Sequence, residues 1–210
     1  MEKLDISTPR TPGRRGLTRT KQLTLYAILT AVLIVLGLVN IPMPMGLSIT
    51  FNMIPVAIAA IAMGIQGGAI IGGVFGLISF LQCFGIIGFS GMGAALVSIS
   101  PVLTFVQRFC SRVLVGVLAA LVWKGLNKRV HPFAACAVTG FSAALFNTIL
   151  FMSTLVLIFG QTEYLQGLMA GRSVMAFILA SAGINAVVEM IVAAAATGAV
   201  GVALRKAKLI

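Results

Sequence analysis

The chain has 210 residues, 60% of them AVILMFWYC and only 9% charged, with 23 glycines and a formal net charge of +11. A mean hydropathy of +1.11 excludes a soluble globular protein of this size and makes the lipid bilayer its solvent. The positive charge does not mark a nucleic-acid binder, because the basic residues form no polar face and collect at the ends of apolar segments.

In chain order, residues 1–22 carry Pro9, Pro12, Gly13 and six Lys/Arg without apolar periodicity, which predicts a basic disordered cytoplasmic tail lying against lipid headgroups. The apolar run that starts at Leu23 is too long for a signal-peptide core and lacks an A-x-A cleavage site, so it reads as a spanning helix. A crossing needs about 20 apolar residues. Dividing the chain at charges, prolines and glycine clusters predicts six transmembrane helices, at about 23–39, 48–63, 69–84, 101–123, 133–159 and 173–204. The fold class is therefore an all-α membrane protein, with a six-helix domain over 23–204 and a basic cytoplasmic end at 205–210.

Lysine and arginine placement orients these helices, since cytoplasmic loops carry the excess. With the N-terminus inside, twelve fall on the cytoplasmic side: six in the tail, Lys124, Lys128, Arg129, Arg205, Lys206 and Lys208. One, Arg172, falls outside. An odd number of spans would move the C-terminal cluster to the wrong face, so six spans with both termini cytoplasmic is the consistent solution. Trp123 suits an interfacial anchor at the inner end of the fourth helix. Gly68, Gly72 and Gly76 share one face of the third helix and invite a close intramolecular neighbour, and Ala27 and Ala31 make a second small-residue pair in the first.

Catalytic machinery is missing from the sequence. Cys83, Cys110 and Cys136 form no CxxC pair and read as small apolar core residues, while His131 beside Lys128 and Arg129 reads as a solvated loop position. No metal site, cofactor site or Ser/His hydrolase is expected. No G-x-x-x-x-G-K-[ST] motif occurs, and the stretch from Gly91 to Leu96 lacks the third glycine of a dinucleotide fingerprint. The chain does not bind ATP by itself.

Charges at membrane depth cost about 2.5–3.5 kcal/mol each and normally face a cavity or a partner. Three occur: Arg108, Arg112 and Glu189. The arginines are four apart and share a face, about 10 and 17 Å below Pro101 by helical rise, while Asn185 and Glu189 lie about 18 and 24 Å below Ser173. Arg112 and Glu189 are expected to form a structural ion pair, leaving Arg108 to take an anionic ligand. Asn147, Asn185, Gln82 and Asn52 are the candidate polar contacts for that ligand. The structural alternative is that Arg108 snorkels or bonds loop carbonyls and the amides tie helices together.

Several motifs in this order carry a family resemblance: Ala27-x-x-x-Ala31, the stretch from Ile49 to Val56 (ITFNMIPV), Ser79 to Gly85 (SFLQCFG), and Ile99-Ser100-Pro101 opening a helix with Arg112-Val113-Leu114-Val115-Gly116. Over about 23–204 the chain resembles the substrate-binding S components of energy-coupling factor (ECF) vitamin transporters. The region from Gln82 to Gly85 and the unmatched arginine are most similar to the pantothenate-type members.

This resemblance implies a vitamin-binding subunit without its own motor, multi-pass in a bacterial cell membrane. Its Ala27/Ala31 face would dock on a transmembrane T component that is coupled to two cytosolic ATPase subunits, and the protein would topple in the bilayer to deliver its vitamin. Residues 40–47 and 85–98 would close over the ligand. The long basic tail departs from the family pattern. A monoanion such as pantothenate matches one spare arginine; folate, biotin, riboflavin or thiamine are the alternative substrates. A different class of reading is a non-transporting interaction or sensor protein, with a lipid- or partner-binding tail and structural arginines.

Overall fold

A computed structural model of the chain describes residues 18–39, 41–42 and 48–207. Most of the expected tail, residues 1–17, and residues 208–210 lie outside the described part. Helix α1 spans Arg19–Leu38, so the last charges of that expected tail, Arg19 and Lys21, already belong to a helix. Two short strands, β1 (Ile41–Pro42) and β2 (Ser48–Ile49), pair antiparallel. Then follow α2 (Met53–Leu81), a 3-10 turn at Gln82–Phe84, α3 (Gly91–Ile99), α4 (Pro101–Leu126), α5 (Pro132–Phe159), α6 (Glu163–Met169) and α7 (Val174–Lys206).

Among the described residues, five helical stretches are long and apolar enough to cross a membrane: α1, Met53–Phe84, α4, α5 and the part of α7 from Asn185 to Lys206. The expected second and third helices share α2, which breaks at Gly64, where φ 67° and ψ −150° leave the helical region and favour a residue without a side chain. Across this break the chain folds back. A Cβ on Gly67 would strike the Ala59 carbonyl and one on Gly68 would touch the Ala60 side chain, although eight residues of straight helix would separate these positions by about 12 Å.

The first arm, residues 53–63, starts later than the expected 48, because Ser48 and Ile49 are strand and the Thr50 amide is bonded elsewhere. It rises about 16 Å, roughly half the hydrocarbon thickness. Apolar nearly all round, it is buried from Pro55 to Ile61. A helix with that composition belongs in a core. Here it lies in the main apolar cluster with Leu29 and Leu33 of α1, Val115 and Ala119 of α4, and Ala143 and Ala144 of α5.

The second arm, residues 65–81, packs antiparallel on α4 through the glycine face. A Cβ at Gly68 would run into the Gly116 carbonyl, one at Gly72 into the Arg112 carbonyl, and one at Gly76 into the Cα of Phe109. Gly140, Gly198 and Gly201 make the same close fit between α5 and α7, against Ala193, Phe133 and Cys136. A smaller apolar cluster of Met92 and Leu96 from α3, Phe151, Leu155 and Phe159 from α5, Leu165 from α6 and Phe177 from α7 covers the end of the bundle where α2 finishes and α4 begins.

Gly116→Ala should therefore destabilise the protein by about 1–3 kcal/mol through overpacking against Gly68, read as a lower melting temperature of the detergent-purified protein. Gly125→Ala in the same helix meets nothing within 4 Å and should leave it unchanged or raise it. Equal melting shifts for the two variants would contradict the backbone-contact seam.

Candidate substrate cavity

Between the second arm of α2, α3, α4, α5 and α7 lies a partly open cavity of about 80 Å³. Phe75 and Ser79 on α2 and Gln82 in the 3-10 turn that continues it recur at helical spacing, as do Arg108 and Arg112 on α4, Asn147 and Phe151 on α5, and Asn185 and Glu189 on α7, so each helix turns one face inward. Ser90 and Met92 from the start of α3, Thr50 from the segment before α2, and Thr148 and Met152 complete the lining.

Arg108 and Arg112 are both buried, with 4% and 7% of their surface exposed, and their contacts differ. Arg108 is held by hydrogen bonds: Nη1 donates to the Ser79 hydroxyl (2.8 Å) and carbonyl (3.1 Å), and Nη2 donates to the Ser90 hydroxyl (3.1 Å). Arg112 is held by aromatic faces, with its guanidinium carbon 4.9 Å from the Phe75 ring centre and 4.8 Å from that of Phe151. Cation–π contact of this kind stabilises a desolvated cation without using its N–H groups. Nε and Nη1 of Arg112 are buried with no hydrogen-bond partner among the described residues.

The expected assignment of the two arginines is thus reversed in its contacts. Glu189 Oε1 accepts from the Thr50 amide at 2.8 Å, and among the described residues no Arg112 nitrogen lies within 4.0 Å of a Glu189 oxygen. Spacing and depth placed Arg112 and Glu189 around one cavity, yet the rings of Phe75 and Phe151 hold the guanidinium while a backbone N–H holds the carboxylate. Arg108, expected to be free, is the bonded one.

Of the amides, Asn147 and Asn185 line the cavity, each with a side-chain oxygen lacking a partner among the described residues. Gln82 also lines it, but its amide donates to the Gly37 carbonyl at 3.0 Å and ties the end of α2 to α1. Asn52 does not join the site. It stands at the N-cap position of α2 without making a capping hydrogen bond, fully buried and outside the lining, with neither side-chain polar atom bonded among the described residues. Ala27 and Ala31 are both exposed on α1, on the side away from its buried Leu29, Leu33 and Gly37.

Sequence reasoning missed Ser79, Ser90, Thr50 and the two phenylalanines. Phe75, Ser79 and Gln82 at i, i+4 and i+7 were a usable signal for the α2 face, as was Phe151 four residues beyond Asn147. Ser90 and Thr50 lie outside the long helices and follow no period.

A family model described as ECF transporter, substrate-specific component, matches residues 21–200. The chain belongs to that family. Its members are substrate-binding components of transporters and not an enzyme family, and this chain is a multi-pass membrane protein among them. A curated relative, the pantothenic acid transporter PanT of Lactococcus lactis subsp. cremoris (strain MG1363), is 28% identical over an alignment spanning 91% of this chain and 97% of the relative.

In the unliganded protein, Arg108→Met should cost more stability than Arg112→Met. The first removes hydrogen bonds made by a charged donor, which contribute about 1.5–3 kcal/mol each, and the second removes a cation whose N–H groups are unpartnered. Melting curves in detergent without ligand check this; a larger loss for Arg112→Met would mean that Arg112 is the structural arginine.

Proposed function

We propose that this protein is the S component of a vitamin-uptake transporter in a bacterial plasma membrane, with pantothenate as its substrate, energised by a T component and two cytosolic ATPase subunits. The carrying observation is Arg112: a buried cation lining the cavity, oriented by Phe75 and Phe151, with Nε and Nη1 taken by no described residue. A ligand carboxylate is the chemistry that completes it, because charge-assisted hydrogen bonds to guanidinium are strong and directional. Arg108 adds a second positive field from its fixed position. Asn147 and Asn185 then serve the hydroxyl and amide groups of pantothenate, and Phe75, Met92, Phe151 and Met152 its methyl groups. The name of the Lactococcus relative supports the same substrate.

In this reading both termini are cytoplasmic and the chain makes six passes, the second of them formed by the short arm 53–63 with the segment that leads into it, and ended by the reversal at Gly64. The strand pair before it, fastened to α7 by Thr50 and Glu189, and the segment around α3 cover the ligand from outside. Ala27 and Ala31 form the seam on which the T component docks, since small exposed residues let a neighbouring backbone approach closely in lipid.

Native mass spectrometry of protein extracted in mild detergent should show one bound pantothenate, and added pantothenate should raise the melting temperature. If no vitamin is retained and none shifts the melt, the assignment fails. Arg112→Ala should weaken binding at least tenfold, the equivalent of about 1.4 kcal/mol, and Arg112→Lys should restore it poorly because an ammonium neither forks nor stacks as a guanidinium does.

Docking is tested separately. The double variant Ala27→Leu, Ala31→Leu should bind ligand normally and lose co-purification with the T component; undiminished assembly would place the seam elsewhere.

A further inference from the structure

Ser90 stands where the cavity meets the first turn of α3. Its hydroxyl oxygen accepts two hydrogen bonds, from the Gly93 amide at 3.2 Å as the N-cap of α3 and from Arg108 Nη2 at 3.1 Å. Its own amide donates to the Gln82 carbonyl at 3.0 Å, which fixes the backbone that carries it. The fit is close: a Cβ on Gly93 would come within 2.7 Å of both Arg108 Nη2 and Cys83 Sγ.

A serine hydroxyl has two lone pairs and one hydrogen. Both lone pairs of Ser90 are taken by N–H donors, so the hydroxyl has nothing left to offer except its hydrogen. Among the described residues no acceptor lies within hydrogen-bond reach of that hydrogen, and Ser90 is part of the cavity lining.

We propose that Ser90 is a specificity-determining residue: a hydroxyl obliged to donate, which selects an acceptor atom of the ligand, a carboxylate oxygen, at the α3 end of the cavity. The proposal rests on the monocarboxylate reading above and adds to it which group besides the arginines distinguishes a carboxylate from its neutral counterpart. Arg108 takes a definite part. By donating to Ser90 Oγ it closes off the acceptor role and polarises the O–H bond, since hydrogen bonds in a chain reinforce one another. A ligand N–H aimed at the same place would find no lone pair.

The experiment measures, by isothermal titration on the full chain in detergent, the affinities of pantothenate and of its primary-alcohol analogue, in which CH2OH replaces the carboxylate. Wild type, Ser90→Ala and Ser90→Thr are compared by the ratio of the two affinities, so that a general loss of folded protein cancels. Ser90→Ala should reduce the preference for the carboxylate about tenfold, the value of one charge-assisted hydrogen bond, and Ser90→Thr should keep it. Equal weakening for both ligands in Ser90→Ala, the signature of a lost helix cap alone, overturns the proposal and leaves the functional reading standing. A wild-type protein that binds neither ligand overturns the functional reading and this proposal with it.

Discussion

The site depends on how closely α2 and α4 approach. The atoms that fill the notches at Gly72 and Gly76 belong to the backbone of Arg112 and of Arg108 and Phe109. The glycine face therefore does more than join two helices, because it fixes the depth and rotation at which both guanidinium groups enter the bundle. A methyl group at any of these glycines would push α4 outward and carry both cations with it. In a bilayer, where lipid is as apolar as leucine, this contact is dispersion and shape, and small residues are what make it available.

Once two cations are placed one helical turn apart in an apolar interior, the rest of the lining follows from the need to stabilise them. One is satisfied by hydroxyl and carbonyl oxygens of Ser79 and Ser90, the other by the faces of Phe75 and Phe151. These are different solutions with different consequences. Oxygen acceptors consume N–H groups, whereas ring faces leave them for something else. Phe151 also lies 5.9 Å below Arg108, so one ring is shared between the pair. Glu189 lines the same cavity while its hydrogen bond with the Thr50 amide holds the segment leading into α2.

Much of this was legible in the sequence. Long apolar runs broken by charge and proline located α1, α4, α5 and α7, and four-residue spacing put Gly68, Gly72 and Gly76, and Arg108 and Arg112, on common faces. Depth counted from helix starts brought Asn147, Asn185 and Glu189 to the level of the arginines. What failed was partner choice. Spacing gives a face and a depth but not which of two neighbouring cations meets an anion, and here aromatic rings competed successfully for Arg112. The start of the second helix also failed, since hydropathy does not separate the strand residues Ser48 and Ile49 from the helix that begins at Met53, and the break at Gly64 depends on backbone angles. Asn52 looked like a ligand contact because a polar residue among apolar ones suggests a pore or pocket, yet it sits at a helix start outside the lining.

Helix α1 meets the bundle with a narrow strip. Leu29, Leu33 and Gly37 point inward, one turn apart, and Gln82 reaches this inner strip at Gly37, while Ala27 and Ala31 lie about 200° away around the same helix. Lipid or another protein can therefore exchange on the outer strip without disturbing the residues that line the cavity. In thermodynamic terms, any coupling between filling the cavity and covering the outer face has to cross α1 to its inner strip of Leu29, Leu33 and Gly37.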